Sequence, residues 1–233
     1  MPTTVSHEKA GYLDVSPVDL GENARRDMVL TLEDMGFEVE SSHHETAPAQ
    51  HEIALHYGEA REMADEVITF KMAVRTVAKR HGLHATFMPK PRREVNGSAM
   101  HIHFSLFKNG KNIFVDPEDP SRLSEEAYYF IGGLLAHSRE MTLITNPLVN
   151  SYKRIVPGNE APAYIVWSSG NRSPLISVPR TSAKDMHIEL RNPDPCVNSY
   201  LAFAGIIAAG LEGIKKGLMP QAATELNIYR LSE

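Results

Sequence analysis

Residues 41–52 read S-S-H-H-E-T-A-P-A-Q-H-E, and the fold of the chain around them follows from this stretch. Apolar and other residues alternate on both sides of it, over 37–40 and over 53–55, which is typical of half-buried strands. Pro48 lies in the middle of the stretch and favours a connecting loop there. The sequence therefore predicts a β-hairpin.

Glu45 and Glu52 are predicted to face each other at the mouth of this hairpin, with His43, His44 and His51 beside them. Like charges directly opposite each other destabilise a sheet. A divalent cation between them would remove that repulsion, since Mg²⁺ and Mn²⁺ take carboxylate oxygens. The alternative is a polar turn whose side chains are solvated, and the stretch by itself leaves both interpretations open.

Composition and charge bound the class of protein. The chain has 233 residues, 42% hydrophobic and 23% charged, as is ordinary for a globular protein of one large or two small domains. A net charge of −5 without a basic run argues against nucleic acid as a partner. Cys196 is the single cysteine, which fits a reducing cytosol. No signal peptide is visible, and charges interrupt the apolar stretch 196–218, so we predict a cytoplasmic protein without a membrane partner.

The periodicity of apolar residues predicts helices and strands in alternation. Helices are predicted at 24–35, at 59–80, from the N-cap Ser124 to before Asn146, and from the N-cap Asp194 onward. Strands are predicted at 83–88, 100–106, 111–115, 163–167, 175–178 and 187–191, the second and third joined by the turn Asn109-Gly110. Strands paired by tight turns and separated from long helices predict an α+β fold, with a largely antiparallel sheet and helices on one face.

Two of the predicted strands carry chemically active side chains on one face. These side chains are His101, His103 and Ser105 on one strand, and His187, Glu189 and Arg191 on another. The opposite faces are apolar and are expected in the core, so the polar faces look into water or into a cleft. A solvated sheet face usually carries Thr, Lys and Glu, and the paired histidines and carboxylate favour a site for Mg²⁺ or Mn²⁺.

Arg154 and Arg172 lie in irregular segments, and with Arg191 they place three arginines near the predicted cleft. Guanidinium groups match carboxylate and phosphate oxygens. Metals together with arginines favour phosphoryl transfer over metallohydrolase chemistry, although each arginine taken singly is more often part of a surface ion pair. The motif G-x-x-x-x-G-K-S/T is absent, which excludes a P-loop.

A series of collinear motifs makes the sequence similar to type I glutamine synthetase. The motifs are S-H-H-E-T-A-P-A-Q-H-E (42–52), K-P (90–91), N-G-S-A-M-H-I-H-F-S (96–105), T-N-P-L-V-N-S-Y-K-R (145–154), V-P-G-N-E-A-P (156–162), N-R-S-P-L-I (171–176), I-E-L-R (188–191) and N-I-Y (227–229). The resemblance implies a curved, largely antiparallel sheet with helices on one face, of the glutamine synthetase/guanido kinase kind. It assigns residues 1–233 to part of one catalytic domain.

The resemblance also implies a reaction and a role for individual residues. The reaction is the ATP-dependent joining of ammonia to the γ-carboxylate of glutamate through γ-glutamyl phosphate, with Mg²⁺ or Mn²⁺. By their places in the motifs, Glu45 and Glu52 match ligands of a first metal, and His101 and Glu189 match ligands of a second. Groups that hold glutamate match Asn96, Gly97, Arg154 and Arg191; catalytic groups match Glu160, Arg172 and Arg154; the nucleotide pocket matches Glu40, Tyr57, His103 and Ser105.

Some positions depart from the family pattern. Ser177 and His187 stand where the family has arginines, Asn159 replaces a common aromatic residue, and the segment 179–186 lacks the usual glycine. These departures are expected to weaken ATP binding, and Arg180 and Lys184 are the nearby charges that would compensate.

The family's N-terminal β-grasp domain, its first metal-binding strand and its C-terminal helices have no counterpart in the sequence. The resemblance therefore implies the central part of a catalytic domain, with little or no synthetase activity on its own. The family forms dodecameric double rings, which implies a homo-oligomer. Two alternatives stay open: a non-catalytic remnant that binds a metal or nucleotide, and a γ-glutamyl ligase for another amine or acid.

Overall fold

The computed structural model describes residues 6–119, 121–157, 160–179, 182 and 185–230. The chain forms two compact units, Met1–Ser98 (unit 1) and Ala99–Glu233 (unit 2). The assignment of residues 1–233 to one partial domain stays a prediction. The predicted α+β fold is confirmed by the helices and sheets of the two units.

Unit 1 contains a β-hairpin between two helices. Its elements are α1 (Glu22–Asp34), β1 (Val39–His44), β2 (His51–Leu55) and α2 (Ala60–Arg80). Both helices lie within two residues of their predicted bounds, because each carries an apolar stripe that becomes buried, including Leu32 of α1 and Val77 of α2.

The register of the hairpin differs from the prediction. Strands β1 and β2 are antiparallel, and His43 pairs with Glu52 while His44 pairs with His51. Glu45 follows β1, and its backbone N–H donates to the carbonyl of Gln50 at 2.7 Å. The prediction that Glu45 faces Glu52 directly is therefore wrong. Alternation along the strands still places both carboxylates on the face that carries His43.

A tight loop sets this register, and Ala49 within it has φ = 59°, in the left-handed region. This conformation strains any residue with a Cβ and does not strain glycine. We expect Ala49→Gly to raise the free energy of unfolding by about 0.5 to 1 kcal/mol in urea titrations. The matched control is Ala54→Gly on β2, which should lower it by a similar amount, and a loss of stability in Ala49→Gly would contradict the expectation.

Unit 2 contains one four-stranded sheet, a small hairpin and several helices. Its strands are β3 (Ile102–Phe104), β4 (Phe107–Lys108), β5 (Lys111–Asn112), β6 (Trp167–Ser169), β7 (Ile176–Val178) and β8 (Ile188–Leu190). Its helices are α3 (Glu125–Ala136), α4 (Ser138–Thr145), α5 (Val149–Tyr152) and α6 (Ser199–Lys216), followed by a 3₁₀ turn at Ile228–Arg230. The sheet order is β3-β8-β7-β6. The β3–β8 and β8–β7 pairs are antiparallel, and β7–β6 is parallel.

The core of unit 2 lies between the sheet and helices α3 and α6. Ile188 and Leu190 of β8, Phe130 of α3 and Ile206 of α6 are all fully buried. Each such side chain contributes about 1.5 to 3 kcal/mol to folding. Because strand residues alternate, burial of Ile188 and Leu190 turns Glu189 to the other face of the sheet.

Glycines let α3 and α6 approach each other at backbone distance. A Cβ added to Gly133 would lie 2.2 Å from the carbonyl oxygen of Ala209, and one added to Gly213 would lie 2.1 Å from that of Tyr129. Such contacts exclude any side chain there. The sheet is thus backed by a closely packed helix pair, which gives its polar face a firm support.

Several predicted boundaries are corrected by local hydrogen bonds. Residues 83–88, all of them described, form no strand. The helix capped by Ser124 breaks at His137, and next to the break the Ser138 hydroxyl bonds the Leu134 carbonyl at 2.7 Å. The last long helix begins at Asn198, whose side chain caps Leu201, because Asp194 instead accepts the N–H of Cys196 in a turn.

Candidate functional site

The exposed face of the unit 1 hairpin gathers three groups that could bind a metal. His43, Glu45 and Glu52 each offer a ligand atom, and these atoms lie within 4.8 Å of one another. His43 Nε2 is 3.0 Å from Glu45 Oε1, and the Thr46 N–H donates to Glu45 Oε2 at 3.0 Å. His43 was not among the predicted ligands. Its position two residues before Glu45 was the available signal, because side chains two apart on a strand share a face.

The chemistry of this group fits a divalent cation. Two carboxylates close together repel each other, and a bound cation converts that repulsion into attraction. Carboxylate oxygens with one imidazole nitrogen suit Mg²⁺ or Mn²⁺ better than a soft, thiolate-preferring metal.

Two predicted glutamate-holding residues are tied to the loop of this hairpin. Asn96 donates its side-chain amide to Thr46 Oγ1 at 3.0 Å, and Gln50 donates to the carbonyl of Gly97 at 2.8 Å. Within unit 1, the structure therefore brings Asn96 and Gly97 next to the loop that carries Glu45. Thr46 and Gln50, which make these bonds, were not singled out from the sequence.

The predicted nucleotide residues of unit 1 lie at the other end of the hairpin. Glu40 is exposed and sits at a register shift in β1, and Tyr57 is 60% exposed. The Tyr57 ring stacks on His56 with centroids 4.4 Å apart. Their role in binding ATP stays a prediction.

In unit 2, the polar face of the sheet joins His101 to Glu189. His101 Nδ1 is 3.3 Å from Glu189 Oε1, and the same oxygen accepts a hydrogen bond from Arg191. Desolvation, then the positive charges of Arg191 and Arg154, lower the pKa of His101 well below its usual range. The imidazole is therefore neutral at neutral pH, which is the form that binds a metal.

His103 and Ser105 lie on the same strand as the His101–Glu189 pair. His103 pairs with Glu189 across the sheet, and its ring lies 4.7 Å from that of His187. Ser105 donates its hydroxyl to the Met186 carbonyl at 2.8 Å. The sequence predicted a polar face on each of these two strands but not that the strands are neighbours, which the pairing of His103 with Glu189 shows.

Arg154 is buried and held by backbone carbonyls. Its guanidinium donates to Asn192 O at 2.8 Å and to Arg191 O at 3.0 Å, and the residue is 2% exposed. Burial lowers the pKa of Arg154 to about 10, so the group remains charged at neutral pH. Arg154 thus fixes the segment that follows β8, of which Arg191 is the first residue.

The remaining predicted catalytic residues lie on exposed loops. Arg172 is exposed, and its carbonyl accepts the Tyr229 hydroxyl at 3.3 Å. Glu160 is exposed and has φ = 37°. The charge of Arg172 is among those that lower the pKa of His101, and the roles of Arg172 and Glu160 stay predictions.

The departures from the family pattern leave unpaired polar atoms. Ser177 Oγ and His187 Nε2 are buried and have no hydrogen-bond partner among the described residues. Asn159, Arg180 and Lys184 lie outside the described residues. Compensation by Arg180 or Lys184 for the arginines that Ser177 and His187 replace therefore stays a prediction.

Comparisons with known proteins complete the description of the site. The sequence matches the family described as glutamine synthetase, catalytic domain, over residues 2–233. Glutamine synthetase of Clostridium saccharobutylicum is 56% identical over 231 residues, which are 99% of this chain and 52% of that protein. Glutamine synthetase of Methanosarcina mazei is 54% identical over 232 residues, which are 100% of this chain and 52% of that protein. The chain spans about half the length of the curated relatives it matches.

Solved structures share the fold. A cryo-EM structure of Plasmodium falciparum glutamine synthetase superimposes with a TM-score of 0.88 at 37% identity, covering 94% of this chain and 43% of that one. A GmaS/ADP complex superimposes with a TM-score of 0.87 at 34% identity, covering 94% of this chain and 51% of that one. In the part of the chain that the structure describes, every helix is too short or too polar to cross a bilayer. The chain belongs to the glutamine synthetase catalytic-domain family.

Proposed function

We propose that this chain takes part in the ATP-dependent ligation of ammonia to glutamate, through γ-glutamyl phosphate. The observation that carries the proposal is the convergence of His43, Glu45 and Glu52 within 4.8 Å, in a chain whose relatives are glutamine synthetases. A converging pair of carboxylates is costly without a cation, and phosphoryl transfer is one of the chemistries that use such cations.

The metal-binding residues fall into two groups in this proposal. Glu45 and Glu52, with His43, hold one Mg²⁺ or Mn²⁺, and His101 with Glu189 holds another. When bound, these ions neutralise phosphate charge. Arg191 donates to Glu189 and is thereby oriented next to the second group, which suits a residue that also clamps an anionic substrate.

The other residues bind substrates or protect the reaction. We assign glutamate to Asn96, Gly97, Arg154 and Arg191, and the nucleotide to Glu40, Tyr57, His103 and Ser105. We assign catalytic roles to Arg172, Arg154 and Glu160. Arg172 faces the phosphates, and Glu160 belongs to a flap that shields the acyl phosphate from water and accepts a proton from ammonium. The ADP complex of the similar structure GmaS supports a nucleotide as co-substrate.

We further propose a cytoplasmic homo-oligomer, in keeping with the single Cys196 and with the exposure of apolar side chains such as Val149, which is 82% exposed. Glutamate, ammonia and ATP would be its small-molecule partners. Mass photometry over a range of protein concentrations checks the assembly, and a monomer at all concentrations would remove this part of the proposal.

A metal titration tests the proposal at its central observation. Calorimetric titration of the 233-residue chain with Mn²⁺ should give a Kd that rises at least about tenfold in the Glu45→Ala, Glu52→Ala double variant, because both carboxylate ligands are lost. The matched control is Glu33→Ala, Glu62→Ala, which removes two exposed carboxylates of the helices of unit 1. An equal affinity in the double variant and the unaltered chain would refute a metal at this hairpin.

Nucleotide binding then tests ATP as the co-substrate. A Mn²⁺-loaded chain that binds ATP agrees with the ligase and with a remnant that binds nucleotide. A chain that binds Mn²⁺ but no ATP at millimolar concentration contradicts ATP as its co-substrate and supports a remnant that binds metal alone. ADP release that requires glutamate and ammonia together, at a synthetase rate, would show a complete active site and would contradict the expectation that this chain alone has little activity.

A further inference from the structure

The face of the hairpin that lies opposite Glu45 and Glu52 carries a second set of ionisable side chains. This back-face cluster consists of Glu8, Asp19, Arg25, His44 and His51. Glu8, Asp19, Arg25 and His44 are buried. Unsatisfied charges at such depth are costly, so their pairing determines whether they stabilise the hairpin.

Glu8 and His44 form a buried pair within this cluster. His44 Nε2 lies 3.0 Å from Glu8 Oε1, and the side chains are 0% and 1% exposed. The Glu8 carboxylate also accepts the backbone N–H groups of Ala10 and Ala49. Burial by itself raises the pKa of Glu8, but the bonds from His44, Ala10 and Ala49 outweigh it and lower that pKa. Glu8 is thus a charged acceptor for three donors.

His44 transmits this anchoring to Glu45. Its second ring nitrogen, Nδ1, donates to the backbone carbonyl of Glu45 at 2.6 Å. With both ring nitrogens bonded, the imidazole has one orientation, and the Glu45 backbone is held against it. Since Glu8 also bonds Ala49, one carboxylate holds the loop at both the Glu45 end and the Ala49 turn.

Arg25 fixes the opposite strand. It donates to Asp19 Oδ2 at 2.6 Å and to His51 Nδ1 at 2.7 Å. A guanidinium only donates, so His51 Nδ1 is the acceptor and its proton is on Nε2. Two sets of side chains in and beside this cluster have ligand atoms close enough for a metal: Asp19, His44 and His51, and His7, Glu8 and His51. The Arg25 guanidinium already supplies the positive charge at Asp19 and His51, and the Glu8 carboxylate already accepts three hydrogen bonds. These bonds make the back-face cluster a clamp on the hairpin.

We propose that Glu8 is a positioning residue for the metal-binding carboxylates of the opposite face. Through His44 and the Ala49 N–H it fixes the backbone on which Glu45 is carried, while Arg25 fixes His51, the neighbour of Glu52. In this role Glu8 acts through His44 and Ala49 and is not itself a ligand of the metal at Glu45 and Glu52. The inference rests on the proposed metal site at His43, Glu45 and Glu52, and adds the reason why the backbone brings these side chains together.

The substitution Glu8→Gln tests this role, because it keeps the size of the side chain but removes the charge. We expect the Kd for Mn²⁺, measured by calorimetry on the 233-residue chain, to rise about tenfold, as for other groups that orient metal ligands. The matched control is Glu22→Gln, whose carboxylate accepts the Ser16 N–H at 2.8 Å and is not part of the back-face cluster. Its Kd should stay within about twofold of the unaltered chain.

The conservative variant Glu8→Asp keeps the charge on a shorter side chain and should give an intermediate Kd. Hydrogen exchange of the Ala49 amide should be faster in Glu8→Gln and closer to normal in Glu8→Asp, since this N–H donates to Glu8. If Glu8 only stabilises the fold and does not position Glu45, its substitution would lower the unfolding temperature but leave the Mn²⁺ affinity of the folded fraction unchanged.

The outcomes separate the two proposals. If the unaltered chain binds no Mn²⁺, the proposed metal site fails and the positioning role fails with it. If the unaltered chain binds Mn²⁺ and folded Glu8→Gln binds it equally, only the positioning role is overturned. If circular dichroism shows that Glu8→Gln does not fold, Glu8→Asp decides, and an affinity equal to that of the unaltered chain overturns the role.

Discussion

Arg154→Ala is expected to lower the free energy of unfolding by about 3 to 5 kcal/mol. The guanidinium of Arg154 donates to the carbonyl oxygens of Arg191, Asn192 and Pro193. Alanine leaves these acceptors without their donor in a buried site, where each unmade hydrogen bond costs about 1 to 3 kcal/mol. The lost side chain also leaves a cavity, which adds to the destabilisation.

Urea unfolding measured by circular dichroism in metal-free buffer checks this value. Arg139→Ala is the matched control, because Arg139 is exposed on α4 and its removal should change stability by less than about 0.5 kcal/mol. Arg154→Lys should recover part of the loss, since an ammonium donates but cannot reach three carbonyls in a plane. A change of less than about 1 kcal/mol in Arg154→Ala would contradict the buried anchoring described for this residue.

A loss of activity in Arg154→Ala has two sources, since the residue is proposed to hold glutamate and also fixes the segment after β8. Activity measured at a temperature where Arg154→Ala is still folded separates the two. Only a loss that persists in the folded protein supports contact with substrate.

Acid should destabilise unit 1 through His51. Desolvation is the main cause that lowers the pKa of His51 to about 4, with the nearby charge of Arg25 acting in the same direction. In the unfolded chain, His51 takes up a proton near its usual pKa of about 6.5. Between these values the unfolded state binds more protons than the folded one, so stability falls as pH falls from about 6.5 toward about 4.

The expected slope is at most about 1.4 kcal/mol per pH unit, one proton's worth. His51→Gln should flatten it in urea titrations with EDTA present, and His84→Gln, at an exposed histidine, should not. His44 acts in the opposite sense. Although burial lowers its pKa, the bonds with Glu8 and the Glu45 carbonyl raise it overall, so its contribution is present below about 6.5 and is lost as pH rises through the folded pKa. A stability that does not change between pH 6.5 and 4 would contradict the burial of a neutral His51.

Period-two alternation was enough to predict the strands of the site. It placed His101 and Glu189 on the polar faces of two strands, and the structure shows that these strands are neighbours. It also predicted the hairpin, but not its register, because the pairing depends on a loop in which Ala49 adopts a positive φ. No sequence pattern indicates that an alanine will take a conformation usual for glycine.

The anchoring of the site could not be predicted in the same way. Arg154 bonds carbonyls 37 to 39 positions along the chain, and Glu8 bonds His44, 36 positions away. Periodicity describes neighbours within one element and contains no information about such pairs. The sequence could indicate that His44 and His51 point away from Glu45 and Glu52, but not which residues they would meet.

The predicted helix boundaries were wrong where side chains compete with the helix for backbone groups. Ser138 bonds the carbonyls of the preceding turn next to the break at His137. Asp194 satisfies a turn, and Asn198 provides the N-cap instead. Ser, Asp and Asn side chains bond the backbone of helices and of turns, so sequence alone does not distinguish the two uses.

The register of β1 and β2 protects the hairpin against sliding. A slip of β2 by one residue would turn Glu52 toward Glu8 and Asp19, and His51 toward solvent. The Glu52 carboxylate would then join the buried carboxylates of Glu8 and Asp19, and Arg25 would lose its hydrogen bond to His51. Most short hairpins resist slippage through one apolar face. Here one face carries the carboxylates of Glu45 and Glu52, and the other carries the buried ion pairs. A misaligned pairing would therefore be unfavourable on both faces, which allows a pair of strands this short to keep a single alignment.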